Sequence, residues 1–251
     1  MEFDRHRGYF YGVLLGDGHI CYTPRQLAEA EKTKGRHGPF LMLKACDLDM
    51  VEAWRDAIEQ IVGFRYAISK HNPGRGSGAR RMQWKIRPSN PDLVREAEAM
   101  TQHKSVIPQQ IINGSQETKA AFVQGLMDSE GWINCLLTSI GQCDLTLGFG
   151  CADPWFDEFY QLVHSLGVLT SRIYKRPPVT KKNGEPGKAI RIFKLDIPSY
   201  MKAGLSFAIT RKRDRLEFCS RILNDYTRNY PRYEDYYRAE DIVWPAGKPA
   251  D

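Results

Sequence analysis

Apolar and polar positions along this chain of 251 residues switch between a helical period and a period of two, and the switches outline its elements. Gly8 to Leu15 is an apolar, glycine-containing helical segment that closes on Asp17-Gly18. His19 to Tyr22 can begin a strand, and the polar stretch 24–38 reads as a loop. Leu41, Leu43 and Ala45 alternate with Met42 and Lys44, as in a half-buried strand. From Met50 to Val62 apolar residues return at helical spacing, and Gly63 ends the run. Phe64, Tyr66 and Ile68 mark another strand, and the glycines after Asn72-Pro73 mark a turn. In the strand that follows, Met82, Trp84 and Ile86 face one way and Arg81, Gln83, Lys85 and Arg87 the other.

The second half repeats this order. A helical segment ends at Glu130-Gly131. It is followed by a strand near Trp132–Leu137, a strand with Leu145, Leu147 and Phe149, a helix from Pro154 to Leu166 stopped by Gly167, and a basic hairpin over 168–197 with Asn183-Gly184 as its loop. Phe10-Tyr-Gly-Val-Leu-Leu-Gly-Asp17-Gly18 thus recurs as Val123-Gln-Gly-Leu-Met-Asp-Ser-Glu130-Gly131. The offset is 113 residues for Gly12 and Gly125, for Asp17 and Glu130, and for Gly18 and Gly131 alike. That period is too long for a solenoid repeat and suits a duplicated small domain. The expected division is 1–104 and 116–225 as two repeats, joined by a linker over 105–115 containing Pro108 and Asn113-Gly114, with a tail over 226–251.

The acid at each helix end is electrostatically odd. Helix C-termini carry partial negative charge, so an exposed carboxylate there costs about 0.3–1 kcal/mol. A divalent cation shared by Asp17, Glu130 and the helix-end carbonyls would turn the repulsion into binding. Gly18 and Gly131 fit left-handed caps. Gly12, Gly16, Gly125 and Ser129, spaced by four, would let the two helices approach closely and bring the acids together. The plainer alternative is that the glycines pack and cap while both acids end helices in solvent.

These residues carry a resemblance: the two segments resemble the paired motifs of LAGLIDADG homing endonucleases, of the single-chain type. The second copy matches in its glycines, apolar positions, Asp128 and terminal acid. The first departs at Leu15 and Gly16 and keeps Asp17-Gly18. The resemblance spans about residues 5–225 and implies an α+β fold of two pseudo-twofold related αββαββα repeats whose antiparallel sheets form a DNA-binding saddle. It implies a metal-dependent endonuclease that cuts a long non-palindromic site in double-stranded DNA as a monomer. The implied cofactor is Mg²⁺, with Ca²⁺ or Mn²⁺ able to substitute for binding. By position, Asp17 and Glu130 would bind the metal and act catalytically, and Asp128 would cap the helix or support the site from behind. Basic residues around the family's pocket point to His103-Lys104 and Thr210-Arg-Lys-Arg213, so Lys104 and Lys212 are candidates for stabilising the transition state; solvated helix-end lysines are the alternative.

Charge placement adds the interface. Net charge is +6, and Gln60 to Pro91 holds no acidic residue while Arg65, Lys70, Arg75, Arg80, Arg81, Gln83, Lys85 and Arg87 fall inside it. The second repeat has Arg172, Lys175, Arg176, Lys181, Lys182, Lys188, Arg191 and Lys194. Arg and Lys suit phosphates and guanine edges, and Gln suits adenine. The tyrosines and arginines of Tyr226–Tyr237 could stack on nucleic acid or pack against the domain. Cys21, Cys46, Cys135, Cys143, Cys151 and Cys219 form no C-x-x-C and no zinc spacing with the histidines, consistent with reduced thiols in an intracellular protein of cytoplasm, nucleoid or an organelle. Gly8–Leu15 is too short to span a membrane and lacks a cleavage signal, and neither Met1 nor Asp251 shows an intein junction. Two other readings stay open: an RNA maturase or non-cleaving DNA-binding regulator of the same fold. A metal enzyme acting on small molecules fits the two basic belts poorly.

Overall fold

The computed structural model describes residues 3–21, 39–72, 82–137, 143–178 and 187–229. The 24–38 loop, Arg75, Arg80, Arg81, Lys181, Lys182, the Asn183-Gly184 turn and the tail beyond 229 lie outside the described residues.

The first repeat runs α1 (Arg5–Leu15), β1 (His19–Cys21), β2 (Phe40–Ala45), α2 (Leu48–Val62), β3 (Ile68–His71), β4 (Gln83–Ile86) and α3 (Pro91–Thr101). A short helix, α4 (Gln109–Ile112), leads into the second: α5 (Gln116–Ser129), β5 (Gly131–Leu137), β6 (Cys143–Cys151), α6 (Phe156–Ser165), β7 (Tyr174–Arg176), β8 (Ile190–Leu195), α7 (Ile197–Lys202) and α8 (Thr210–Asn229). Each repeat forms a four-stranded antiparallel sheet, ordered β1-β2-β4-β3 and β5-β6-β8-β7. The α+β class and the twofold repetition expected from the sequence are therefore present.

Local chemistry explains the boundaries. Asp4 caps α1 by accepting from the Arg7 N–H at 2.8 Å, and Ser115 caps α5 by accepting from the Thr118 N–H at 3.2 Å. Gly63 and Gly167 follow α2 and α6 with φ of +69° and +78°, a conformation natural to glycine. The expected strand from Phe64 begins only at Ile68. Leaving the left-handed Gly63, Phe64 stays exposed and packs edge-on against Tyr66, and pairing with β4 starts at Ile68 opposite Ile86.

Helices α1 and α5 pack closely on one another and are largely buried. A Cβ built on Gly12 would lie 2.3 Å from Phe122 O and 3.0 Å from Gly125 Cα; one on Gly125 would lie 2.6 Å from Tyr9 O and 3.1 Å from Gly12 Cα. Tyr9 and Phe122, like Gly12 and Gly125, are 113 residues apart, so the contact is the same surface used twice. A pseudo-twofold axis passes between these glycines. Outward from it, Phe10, Trp54, Leu41, Leu43 and Ile86 fill the first repeat, and Phe149, Trp155, Phe156, Phe159 and Phe193 fill the second.

The trailing segments are exchanged. At the start of α8, the Thr210 N–H donates to Asp49 and Arg211 forms a two-pronged pair with Asp47 at 2.6 and 2.7 Å, both acids standing at the start of α2 in the first repeat. Reciprocally, the Ile107 N–H donates to Glu158 on α6.

Candidate functional site

Following the axis down α1 and α5 leads to the two acids. Gly16 and Ser129 are again 113 apart, and a Cβ on Gly16 would come within 2.3 Å of Ser129 Cβ and 3.6 Å of Glu130 Cγ. The helix ends are thus nearly in contact where Asp17 and Glu130 project. Burial pushes both carboxyls above the usual range, most strongly by desolvation; Asp17 and Asp153 push Glu130 further, and Asp47 acts on Asp17. Asp17 keeps an exposed edge, so its upward shift reflects the protein crowded around it rather than enclosure. Among the described residues neither carboxylate accepts a hydrogen bond or joins an ion pair.

The left-handed caps expected at Gly18 and Gly131 are absent: neither glycine has positive φ. Glycine is required there by close approach, since a Cβ on Gly18 would stand 2.6 Å from Leu14 Cα and one on Gly131 2.6 Å from Met127 O. The chain folds tightly back over the helix end into β1 or β5.

The helix-end carbonyls, expected to help hold a cation, hold lysines. Lys104 Nζ donates to Gly16 O at 2.7 Å and Gly18 O at 2.8 Å. Lys212 Nζ donates to Met127 O at 3.0 Å, Asp128 O at 2.6 Å and Gly131 O at 2.7 Å. Each ammonium neutralises the negative end of one motif helix. Desolvation lowers both lysines, Lys212 to about 8, against the upward pull of nearby carboxylates. Both cations act electrostatically on Asp17 and Glu130 and favour their ionised forms.

The two lysines arrive by different backbones. Lys212 lies in the first turn of α8, whereas Gln102, His103 and Lys104 have φ of +44°, +59° and +65° in succession. Three consecutive non-glycine residues in the left-handed region cost roughly 1–2 kcal/mol each. The turn is held by the Lys104 N–H on Thr101 Oγ1 at 3.2 Å, the Ser105 N–H on Thr101 O at 2.8 Å and the Lys104 ammonium contacts.

Asp128 points away from the acids. The residue is 2 % exposed, and its carboxylate accepts from Tyr9 OH at 3.0 Å and from the Ala208 and Ile209 N–H groups at 3.1 and 3.3 Å, just before α8. Burial pushes it up to about 6, and these donors work against that shift. It anchors the segment that delivers Lys212; Leu15 holds the matching position in α1.

Strand register decides which basic residues share a face. In the first sheet Leu43 pairs with Ile86 and Ala45 with Trp84, all toward the helices, so Lys44, Gln83, Lys85 and Arg87 lie on the outer face with His19 and His71. Lys44 stands directly opposite Lys85. Lys70, in contrast, pairs with Trp84 and lies over its ring on the helix side. Arg65 lies off the sheet, paired with Glu59 and with Asp56 at 3.2 Å.

In the second sheet Lys194 and Arg176 share the outer face, while Arg191 and Lys175 pair with each other on the helix side. Arg191 is held there by Asp157 at 2.6 Å, the Asp153 carbonyl at 2.6 Å and the ring of Phe156. Arg172 is exposed in the loop before β7. Sequence reasoning missed Lys44. Its signal was available, since it alternates with Leu43 and Ala45.

Among the described residues no helix is long and apolar enough to cross a membrane, and no group of three or more His, Cys, Asp or Glu side chains is placed to hold a metal ion.

No protein-family model matches the chain, and no curated protein matches it. Solved structures similar to it include the homing endonuclease I-WcaI bound to its DNA recognition sequence, at 12% identity over 86% of this chain and 88% of that one, with a TM-score of 0.49. Full-length DUF199/WhiA from Thermatoga maritima is 11% identical over 90% of this chain and 62% of its own, with a TM-score of 0.47. The N-terminal LAGLIDADG domain of DUF199/WhiA is 10% identical over 80% of each chain, with a TM-score of 0.41. At these identities the likeness is one of fold.

Proposed function

We propose that the chain is a metal-dependent, site-specific DNA endonuclease that cuts both strands of a long, non-palindromic duplex and acts as a monomer. The observation that carries this reading is the pair Asp17 and Glu130: two carboxylates with no hydrogen bond or ion pair among the described residues, crowded at the pseudo-twofold axis, each ending a motif helix. Crowding two partly desolvated carboxylates at the negative ends of two helices is costly unless a cation joins them. Carboxylates are also the hard oxygen donors that Mg²⁺ takes, so the donor set fits the metal that the motif resemblance implies. Bound by Asp17 and Glu130, Mg²⁺ would supply an activated water and neutralise charge on the phosphate. Because the acids are related by the pseudo-twofold, each serves one strand. Lys104 and Lys212 keep positive charge beside the acids and fix the helix ends that carry them.

The duplex would lie against the outer sheet faces. Lys44 and Lys85 directly opposite one another repel, and a polyanion laid over them relieves that repulsion. With Arg87, Arg176 and Lys194 they supply phosphate or guanine contacts, and Gln83 suits adenine.

Asp17→Asn and Glu130→Gln test the reading. Each should abolish double-strand cleavage in Mg²⁺ while binding in Ca²⁺ stays within about tenfold, since acids hold metal and sheets hold DNA. Full cleavage by either variant refutes it. A wild type that binds a selected duplex and never cuts it in Mg²⁺ replaces this reading with the non-cleaving regulator.

A further inference from the structure

The two outer sheet faces differ in chemistry. On the first, Lys44, Gln83, Lys85 and His71 give a polar, cationic centre, and the apolar Phe40 and Met42 stand toward the β1 side with Arg87 over the Phe40 ring. On the second, register places Trp132, Gly148, Gly150, Ile192, Ile190 and Tyr174 together. Two glycines on the central strand β6 open a lane there. A Cβ on Gly148 would stand 2.3 Å from Trp132 Cζ2, and one on Gly150 2.9 Å from Ile192 Cγ1. Trp132 and Ile192 lean into that space, and the apolar tract reaches solvent at Ile190, 37% exposed, and Tyr174, 42% exposed. Lys194 and Arg176 flank it on the same face.

We infer that this face reads thymine methyl groups in the major groove, so that the half-site under the second repeat is specified by A·T pairs while the half-site under the first is specified by hydrogen bonding. The inference rests on the DNA-binding reading above. Thymine is the base that presents a methyl group in that groove, and apolar side chains recognise it by contact. The flanking cations hold the phosphates on either side of an apolar strip, a charge pattern that matches duplex DNA. The first sheet, its counterpart across the pseudo-twofold, carries hydrogen-bonding side chains over the corresponding area.

The test begins with the full-length chain in Ca²⁺ and a randomised duplex library. Lys85→Ala and Ile190→Asn, both at exposed or half-exposed positions outside the core, identify which half of the selected site each sheet contacts. Deoxyuridine then replaces thymidine in one half at a time, which deletes the methyl groups and keeps every hydrogen bond. Binding should weaken about tenfold for the second half and less than twofold for the first, and Ile190→Asn should lose most of its sensitivity to uracil. Equal or absent effects in the two halves overturn the inference and leave DNA binding intact. Failure to enrich any sequence removes the DNA-binding reading and this inference with it. A DNA-free dimer dispersed by Ile190→Asn would also overturn it, by assigning the tract to a second copy.

Discussion

Alanine at Gly12 should separate the motif helices and with them the two acids. The new Cβ would lie 2.3 Å from Phe122 O, whereas carbon normally approaches a carbonyl oxygen no closer than about 3.3 Å, so the backbones must part by about 1 Å. That neighbour is helix backbone, which cannot rotate away. Overpacking costs typically about 1–3 kcal/mol; against rigid helix backbone the upper end, about 3 kcal/mol, applies, and the better helix propensity of alanine returns about 1 kcal/mol. A net loss of about 2 kcal/mol is expected in urea unfolding followed by tryptophan fluorescence. The catalytic loss should be larger, because a misplacement of about 1 Å can cost on the order of a hundredfold in rate. Gly125→Ala should behave alike, its Cβ lying 2.6 Å from Tyr9 O. Gly63→Ala is the control. Nothing lies within 4 Å of that position, so it loses about 1 kcal/mol from the left-handed backbone and keeps its activity. Unfolding of Gly12→Ala at the midpoint of Gly63→Ala, with full activity, would refute the close-approach argument.

Two further outcomes concern the lysines. Lys212→Met strips a buried donor from three carbonyls and should destabilise by about 2–3 kcal/mol, whereas Lys104→Met removes a half-buried donor from two carbonyls, that of Gly16 being partly exposed, and should cost about 1 kcal/mol; equal losses in denaturant titrations would contradict the burial difference. The folded pKa of Lys212, about 8 against the usual 10.5, means that between these values the unfolded chain binds more protons than the native one. Stability of the wild type relative to Lys212→Met should therefore rise as pH rises from about 8 to 10.5, and a difference that shrinks over that range would show that the ammonium is not desolvated.

The glycine spacing in the two motifs was enough to read close helix packing, because a spacing of four on a helix fixes one face. The element order was equally legible where apolar residues kept a single period, as in Met82–Ile86. Facing failed where strands carry no alternation of their own. Ile190-Arg-Ile-Phe-Lys-Leu is apolar on both sides, so only pairing with β6 turns Arg191 toward the helices, and Lys70 takes its side from Trp84 across the ladder. The reason for Gly18 and Gly131 was misread because a glycine after a helix signals a left-handed cap and a forbidden Cβ equally well. Gln102-His103-Lys104 does not announce three left-handed residues in a row, since of the three only histidine is enriched at positive φ.

The exchange of trailing segments bears on how such a chain can change over time. Cohesion between the halves comes from α1 against α5, from Arg211 and Thr210 on Asp47 and Asp49, and from Ile107 on Glu158. None of these contacts uses an outer sheet face. A substitution at Gln83 or Ile190 therefore leaves the pairing of the halves untouched, while any change at the crossing must be matched on both sides of the axis. The molecule separates a tightly constrained seam of assembly from two surfaces free to vary independently, which is the arrangement in which two halves built alike can come to prefer an asymmetric target.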